Sequence, residues 1–246
     1  MTIDDIDDLA GLRRSGRAVA EARDTMLAAV VPGISTGELD DIGRDVLHRH
    51  GARSAPRLAY SFAGTTCISV NDEAAHGIPS HDRILRDGDL VNIDVSAELD
   101  GYWTDTGTST PVGTPSDEVR HLLDATRSAR ADAIAAARAG EPLRMIGRAV
   151  ERRARREGLS VVANLAGHGV GRHIHEEPSV ANVEQRRNRT RLWEGLVIAI
   201  EPFLSTGADH VIEAEDGWTL RTPDGSLPAQ FEHTIVVTNG AALVLT

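Results

Sequence analysis

Apolar residues recur at helical spacing near the start of the chain. Ile6, Leu9, Leu12, Val19 and Ala22 predict an amphipathic helix over residues ~4–24. Pro32-Gly33 breaks that pattern. Ser35, with Glu38 three positions on, forms a capping box that opens a second helix to about His50. Short apolar and β-branched stretches at ~66–71 and ~89–97 read as strands. Thr114-Pro115-Ser116-Asp117 starts a third helix, with Thr114 as its cap and Pro115 in the first turn, running to about Arg138. A fourth helix covers ~143–157, and apolar runs follow at about 160–166, 195–201 and 231–238, with Pro202 and Gly240 as stops.

The order helix, helix, strands therefore occurs twice. The second helices of the two sets share a pattern. Leu39-Asp40-Asp41-Ile42-Gly43-Arg44-Asp45-Val46 agrees with Leu143-Arg144-Met145-Ile146-Gly147-Arg148-Ala149-Val150 at Leu, Ile, Gly, Arg and Val, at an offset of 104 residues. Two amphipathic helices can share such a pattern by chance. The other reading is a duplicated half-domain, with halves of about 1–112 and 113–246 inside a single domain spanning 1–246. That reading predicts an α+β fold with pseudo-twofold symmetry, in which two pairs of helices cover a curved antiparallel sheet. A site between such halves would draw ligands from both.

Polar residues in unusual places carry the chemistry. Asp100-Gly101 between two β-prone runs is a two-residue hairpin signal. With that turn, Leu99 faces Tyr102, Asp94 faces Gly107, and Asp105 faces Ser96. Asp94 and Asp105 are then diagonal neighbours on one face, able to converge on metal ions, although a pair of solvent-facing acids is the plainer alternative. His168 lies in the glycine-rich stretch Gly167-His168-Gly169-Val170-Gly171, where missing side chains leave room for a ligand, and His175-Glu176-Glu177-Pro178 follows. Glu201 and Glu232 sit in apolar strand-like runs, where a carboxylate needs an arginine partner or a metal. Asp94, Asp105, His168, Glu201 and Glu232 make four carboxylates and one imidazole. Such a set suits two borderline divalent ions (cobalt, manganese, iron or zinc) lying ~3.5–4 Å apart, the usual clamp of a metallohydrolase.

Composition narrows the alternatives. All 26 basic residues of the 246-residue chain are arginine, so Schiff-base and phosphate-loop lysine chemistry is excluded. The net charge of -11 disfavours DNA as a partner. The local run Arg186-Arg187-Asn188-Arg189-Thr190-Arg191 reads as a solvated loop, with RNA of the ribosome as a secondary candidate. A single cysteine, Cys67, and the absence of a signal-like or membrane-spanning run predict a cytoplasmic protein with no membrane partner.

The motifs Asn71-Asp72-Glu73-Ala74-Ala75-His76-Gly77-Ile78-Pro79, the 92–106 hairpin, 167–178, Ile200-Glu201-Pro202 and 230–237 together resemble the methionine aminopeptidases of the pita-bread fold. The likeness covers nearly the whole chain, and its motif order is specific. It implies removal of the first methionine from peptides and nascent chains, with preference for a small second residue. By the same resemblance, Asp94 and Asp105 chelate and bridge the ions, His168 binds one, and Glu201 and Glu232 complete the site, Glu201 also acting as general base. His76 and His175 contact substrate and stabilise the tetrahedral intermediate. Tyr60, Phe62, Cys67 and Trp218 correspond to a methionine pocket, with simple core packing as the alternative.

The short span from His175 to Glu201 implies the bacterial-like type 1 form without a helical insertion, and a monomer is expected. The sequence departs from the family pattern at Ile174 and Ala59, where aromatic residues are common, and in the arginine-rich loop of 183–193. Two rivals share the fold. One is a proline-specific aminopeptidase or prolidase, which carries an additional N-terminal domain. The other is a non-catalytic relative that binds protein or RNA and has lost ligands.

Overall fold

The computed structural model describes residues 1–246. The first part of the chain holds α1 (Ile6–Ala28), α2 (Thr36–Arg49), β1 (Arg53–Ser54), α3 (Ala55–Tyr60), β2 (Cys67–Val70), β3 (Glu73–Ala75), β4 (Leu90–Leu99) and β5 (Tyr102–Pro111). The second part holds α4 (Asp117–Ala136), α5 (Arg144–Glu157), β6 (Ser160–Val161), β7 (Ala166–Gly169), β8 (Glu176–Ala181), β9 (Val197–Ile200), β10 (Phe203–Ser205), β11 (Ile212–Glu213), β12 (Leu220–Arg221), β13 (Pro228–Gln230), β14 (His233–Val236) and β15 (Leu243–Val244). This is an α+β arrangement with antiparallel pairing between all strands. None of its helices is long and apolar enough to cross a membrane.

The helix ends follow local chemistry. Asp5 caps α1 by accepting from Asp7 and Asp8 N–H. The helix persists to Ala28, past its expected end, because Met26 still packs into the core. Its buried face is Leu12, Ala18, Val19, Ala22 and Met26, whereas Ile6 points outward at 80% exposure. The Ser35–Glu38 capping box forms in both directions. The cap of α4 is Ser116 rather than Thr114. Its Oγ accepts from Val119 N at 3.1 Å, which leaves Pro115 outside the helix. The six-residue α3 is too short to show a period, so nothing in the apolar pattern announces it. The apolar run near 160–166 splits, because only Ser160–Val161 pairs there and β7 begins at Ala166.

Two main apolar cores lie under the helices. Val19, Met26, Leu39, Leu47 and Ile93 belong to one. Leu122, Ile146, Leu196, Ile198 and Ile235 belong to the other. The sheet is divided into a four-stranded piece built on β4 and a five-stranded piece ordered β15-β14-β9-β7-β8, with two three-stranded pieces beside them.

A seam joins the two large pieces. Thr108 bridges to Phe231, and Glu232 N donates to Gly107 O at 2.8 Å. Gln230 N donates to Ser109 Oγ at 2.9 Å, and Thr234 Oγ1 both accepts from Asp105 N and donates to Asp105 O. Residues 230, 232 and 234 alternate with their neighbours, so all three turn the same way, toward β5.

The glycines of the matching helices permit different contacts. A Cβ on Gly147 would fall 2.6 Å from the Ala181 carbonyl oxygen and nearer still to that of Val183. A Cβ on Gly43 would meet the Met26 Sδ at 2.5 Å, the far end of a flexible side chain. Gly147→Ala is therefore expected to cost about 1–3 kcal/mol through overpacking against rigid backbone. Gly43→Ala is expected near zero, since Met26 can turn away and alanine gains up to about 1 kcal/mol of helix propensity. Urea denaturation midpoints of the two variants test this, and equal losses would contradict it.

Candidate metal centre

The hairpin turns as its sequence requires. Asp100 and Gly101 take φ of 53° and 84°, the pair of positive values that a type I′ turn needs. The register sets Leu99 opposite Tyr102, Asp94 opposite Gly107 and Ser96 opposite Asp105, so the two aspartates share a face. Glu201 and Glu232 flank strands rather than lying inside them: Glu201 follows β9, and Glu232 precedes β14 across the seam from Gly107. His168 comes from β7. All five residues meet at one place.

Oxygen or nitrogen atoms of Asp105, His168 and Glu232 lie within 4.8 Å of one another. His168 Nε2 is 3.5 Å from Glu201 Oε1 and 3.8 Å from Asp105 Oδ2. Asp94 joins them through Gln230, whose Nε2 reaches Asp94 Oδ2 at 3.4 Å, Glu201 Oε2 at 3.3 Å and Glu232 Oε2 at 3.2 Å. Glycine makes the packing possible, since a Cβ on Gly167 would collide with the Ala199 carbonyl beside Glu201. The His168 Nδ1–H donates to the Gly169 carbonyl at 2.9 Å, which turns the Nε2 lone pair toward the carboxylates.

The electrostatics of the cluster are adverse. Burial, and then repulsion from Asp94 and Glu201, pushes the Asp105 carboxyl well above its usual range. Burial, and then Asp105, Glu201 and Asp94, does the same to Glu232, against a weaker opposing pull from Arg23. Burial and Asp94 raise Glu201 well above its ordinary value. Burial lowers His168 to about 3, so its imidazole is neutral, the form in which a histidine can bind a metal. No arginine pairs with Glu201 or Glu232, and Glu232 Oε1 and Gln230 Oε1 are buried without a hydrogen-bond partner. Buried anionic oxygens in excess, one lone pair of nitrogen and no cation are what divalent ions neutralise, so the donor set fits them.

Beside the cluster lies a cavity of about 190 Å³. A ~150 Å³ cavity accepts benzene, so there is room for one medium-sized side chain. Its apolar wall includes Tyr60, Phe62, Cys67, Ile174 and Trp218, and its polar end is formed by His76, Asp94, Asp105 and His175. Phe62 and Trp218 meet edge to face at 5.1 Å. Cys67 is opposite Asp94 in the sheet, and its strand is anchored by Asp40, which accepts from Thr65 N, Thr66 N and Thr66 Oγ1. Ala59 does not line this cavity but a shallower groove outside it.

His76 occupies a left-handed conformation at φ 56°, a strained choice for a side-chain-bearing residue, and it projects to the cavity. The next residue must be glycine, because a Cβ there would strike the Ile68–Ser69 backbone. His175 packs edge-on to His168 at 4.3 Å between ring centres, and its Nδ1 hydrogen bonds to the Tyr60 hydroxyl. The sequence reading passed over Gln230 as a member of the cluster. Its spacing of two from Glu232 is the signal that would have found it.

The fold and the cluster define a class of metal-dependent peptidase. Residues 10–239 match the model of metallopeptidase family M24, and the chain belongs to that family. It is 47% identical to methionine aminopeptidase 2 of Bacillus subtilis over 100% of this chain and 99% of that protein. The crystal structure of methionine aminopeptidase from Rickettsia prowazekii superimposes with a TM-score of 0.95 at 36% identity, covering 100% of both chains. A prolidase from Pyrococcus furiosus shares the fold at a TM-score of 0.78 and 22% identity, and this chain covers 65% of it.

Metal removal has a calculable sign. Asp105, Glu201 and Glu232 have folded pKa values above their unfolded ones, so without metal these three groups bind more protons in the folded state than in the unfolded state. Their contribution to stability then falls as pH rises above about 4. In EDTA-treated protein this loss is expected to show as a falling melting temperature above about pH 6.5, where the histidines are neutral in both states and no longer act against it. Manganese at one fixed concentration should restore stability, by about 2.7 kcal/mol where it stands a hundredfold above Kd, and by more at the higher pH, where fewer protons compete for the carboxylates and Kd is lower. Calorimetry with and without manganese checks this, and a gain that does not grow with pH would refute it.

Proposed function

We propose that the protein removes the N-terminal methionine from peptides and nascent polypeptides by metal-dependent hydrolysis, with two divalent ions side by side. The observation that carries this reading is the position of a cation-demanding carboxylate cluster at the polar end of a cavity sized for one side chain. When bound, the ions supply Lewis-acid polarisation of the scissile carbonyl and lower the pKa of water. Asp94, Asp105, His168, Glu201 and Glu232 would hold the ions.

Glu201 takes the proton from the attacking water and passes it to the departing amine. In the tautomer this role needs, His175 Nδ1 accepts from the Tyr60 hydroxyl it contacts, and Nε2 carries the proton that it offers, with His76, to the developing oxyanion. Phe62, Cys67 and Trp218 receive the methionine side chain in a dry, polarisable wall. The two imidazoles crowd the site around the scissile bond, which favours a small second residue. The chain works as one catalytic domain of two halves, about 1–112 and 113–246, with Asp94 and Asp105 from the first and the other three ligands from the second. Its single cysteine suits the reducing cytoplasm.

Hydrolysis of Met-Ala-Ser and of an Xaa-Pro-Pro peptide by metal-stripped enzyme, before and after adding manganese or cobalt, tests the reading. Methionine release only, and only with metal, is expected. Cleavage before proline would replace the substrate assignment. His175→Ala should keep its metal and lose at least about tenfold in kcat. Unchanged kcat with raised KM would instead assign His175 to uniform substrate binding.

Nascent chains also suggest a place of work. Arg186, Arg187 and Arg189 are exposed on the loop after β8, and Arg148, Arg152 and Arg155 are exposed on α5 beneath it. The loop is fastened to that helix by Glu184 N donating to Glu151 at 2.9 Å. This basic face on an otherwise acidic protein serves as a ribosomal RNA contact. Substituting Arg186, Arg187 and Arg189 by glutamine should reduce co-sedimentation with ribosomes severalfold and make its remaining dependence on salt shallower. Unaltered co-sedimentation would remove this partner.

A further inference from the structure

His175 ends the connection between β7 and β8, and little within that connection fixes it. Gly171 N donates to His173 O at 3.2 Å, and Glu176 Oε1 accepts from Arg172 N at 2.6 Å and His173 N at 2.7 Å. The stronger ties come from outside. Arg172 Nη2 pairs with Asp8 Oδ1 at 2.5 Å, and that same oxygen accepts from the Tyr102 hydroxyl at 3.1 Å. The guanidinium lies over the Tyr102 ring at 4.2 Å, and Trp103 N donates to Gly171 O at 2.9 Å. Gly11 on α1 makes room for the ring, because a Cβ there would sit 2.6 Å from Tyr102 Cζ and nearer to other ring atoms.

Asp8 is the unusual member. Its side chain is 9% exposed, and burying a carboxylate is unfavourable unless charge and hydrogen bonds compensate it. It touches neither the carboxylate cluster nor the cavity. What it holds is a loop three residues from His175 on one side and the tip of the β4–β5 hairpin on the other. That hairpin carries Asp94 and Asp105.

The geometry points to Asp8, Tyr102 and Arg172 as a clamp of positioning residues that sets His175 relative to the hairpin carboxylates. The inference rests on the oxyanion-donor reading of His175 given above. A donor of that kind acts only when held within a fraction of an ångström of its place, and a displacement of about 1 Å can cost about a hundredfold in rate. The clamp spans α1, the hairpin tip and the β7–β8 connection, so it transmits the position of one half of the molecule to a side chain of the other. None of its members touches substrate.

The test is steady-state kinetics on metal-loaded enzyme, with metal content and unfolding measured alongside, for Asp8→Asn, Arg172→Met, Tyr102→Phe, His175→Ala and the Asp8→Asn/His175→Ala pair. Asp8→Asn and Arg172→Met should keep their full metal content and KM within about twofold, while kcat falls about 10- to 100-fold. Because the clamp works through one ring, the double variant should be no slower than His175→Ala alone. Tyr102→Phe removes a single hydroxyl, should show a smaller loss of the same kind, and supplies the reading if the charge variants do not fold. Wild-type kcat in the clamp variants, or losses that multiply in the double variant, would overturn the clamp while leaving His175 in its role. Wild-type kcat in His175→Ala would overturn that role and the clamp with it.

Discussion

Four carboxylates held against one another in the interior are the constraint around which this molecule is organised. Two unit charges 4 Å apart in a protein environment repel by about 4 kcal/mol, and here the repulsion is multiple. Nothing nearby neutralises it: Arg23 pulls on Glu232 only weakly, and Gln230 can offer a single amide group to three of the acids. The chain therefore builds a site that is costly to itself and rewarding to a divalent ion. The raised carboxyl pKa values and the orphaned oxygens of Glu232 and Gln230 are two expressions of that one imbalance.

Holding such a cluster together requires stiffness from several directions. The ten-residue strands β4 and β5 pair along their full length, which fixes Asp94 and Asp105 against slippage. A one-residue slip of either strand would put the two acids on opposite faces. The seam between β5 and residues 230–234 brings Glu232 from the other half, with Thr234 gripping both backbone groups of Asp105. Flanking placement suits Glu201 and Glu232. A residue just outside a strand is located by the ladder yet free of its pairing, so its side chain can turn into the site.

The cavity separates two tasks. Its polar end borders the carboxylates and imidazoles, and its apolar wall is furnished by an aromatic pair, Cys67 and Ile174. Burial and the surrounding acids push the Cys67 thiol well above its usual pKa, so it behaves as a small apolar surface rather than as a nucleophile. Ile174, where family members often carry an aromatic ring, still faces the cavity, so that departure changes the shape of the wall and not its character. The Ala59 departure falls outside it.

Much of this was legible in the order of residues. The four long helices, the capping box at Ser35 and the hairpin with its register are local matters, set by periodicity, turn chemistry and alternation within short spans. The four acids and the imidazole could be chosen because charged residues in apolar or glycine-rich surroundings need a reason to be there. Local rules failed where pattern could not rank close neighbours and where a residue distant in sequence decided the outcome. Ser116 displaced Thr114 as cap by a contest between adjacent hydroxyls that pattern does not rank, and α3 was too brief to carry a period. The place of Gln230 in the cluster, the tautomer imposed on His168 by Gly169, and the tie from Asp8 to Arg172 depend on contacts across the seam or on side-chain direction. Sequence fixed which chemistry was available and on which face of each element it lay. Only the tertiary packing decided that these groups would share one small volume with no arginine paired to Glu201 or Glu232, because electrostatic proximity is a property of space and not of order along a chain.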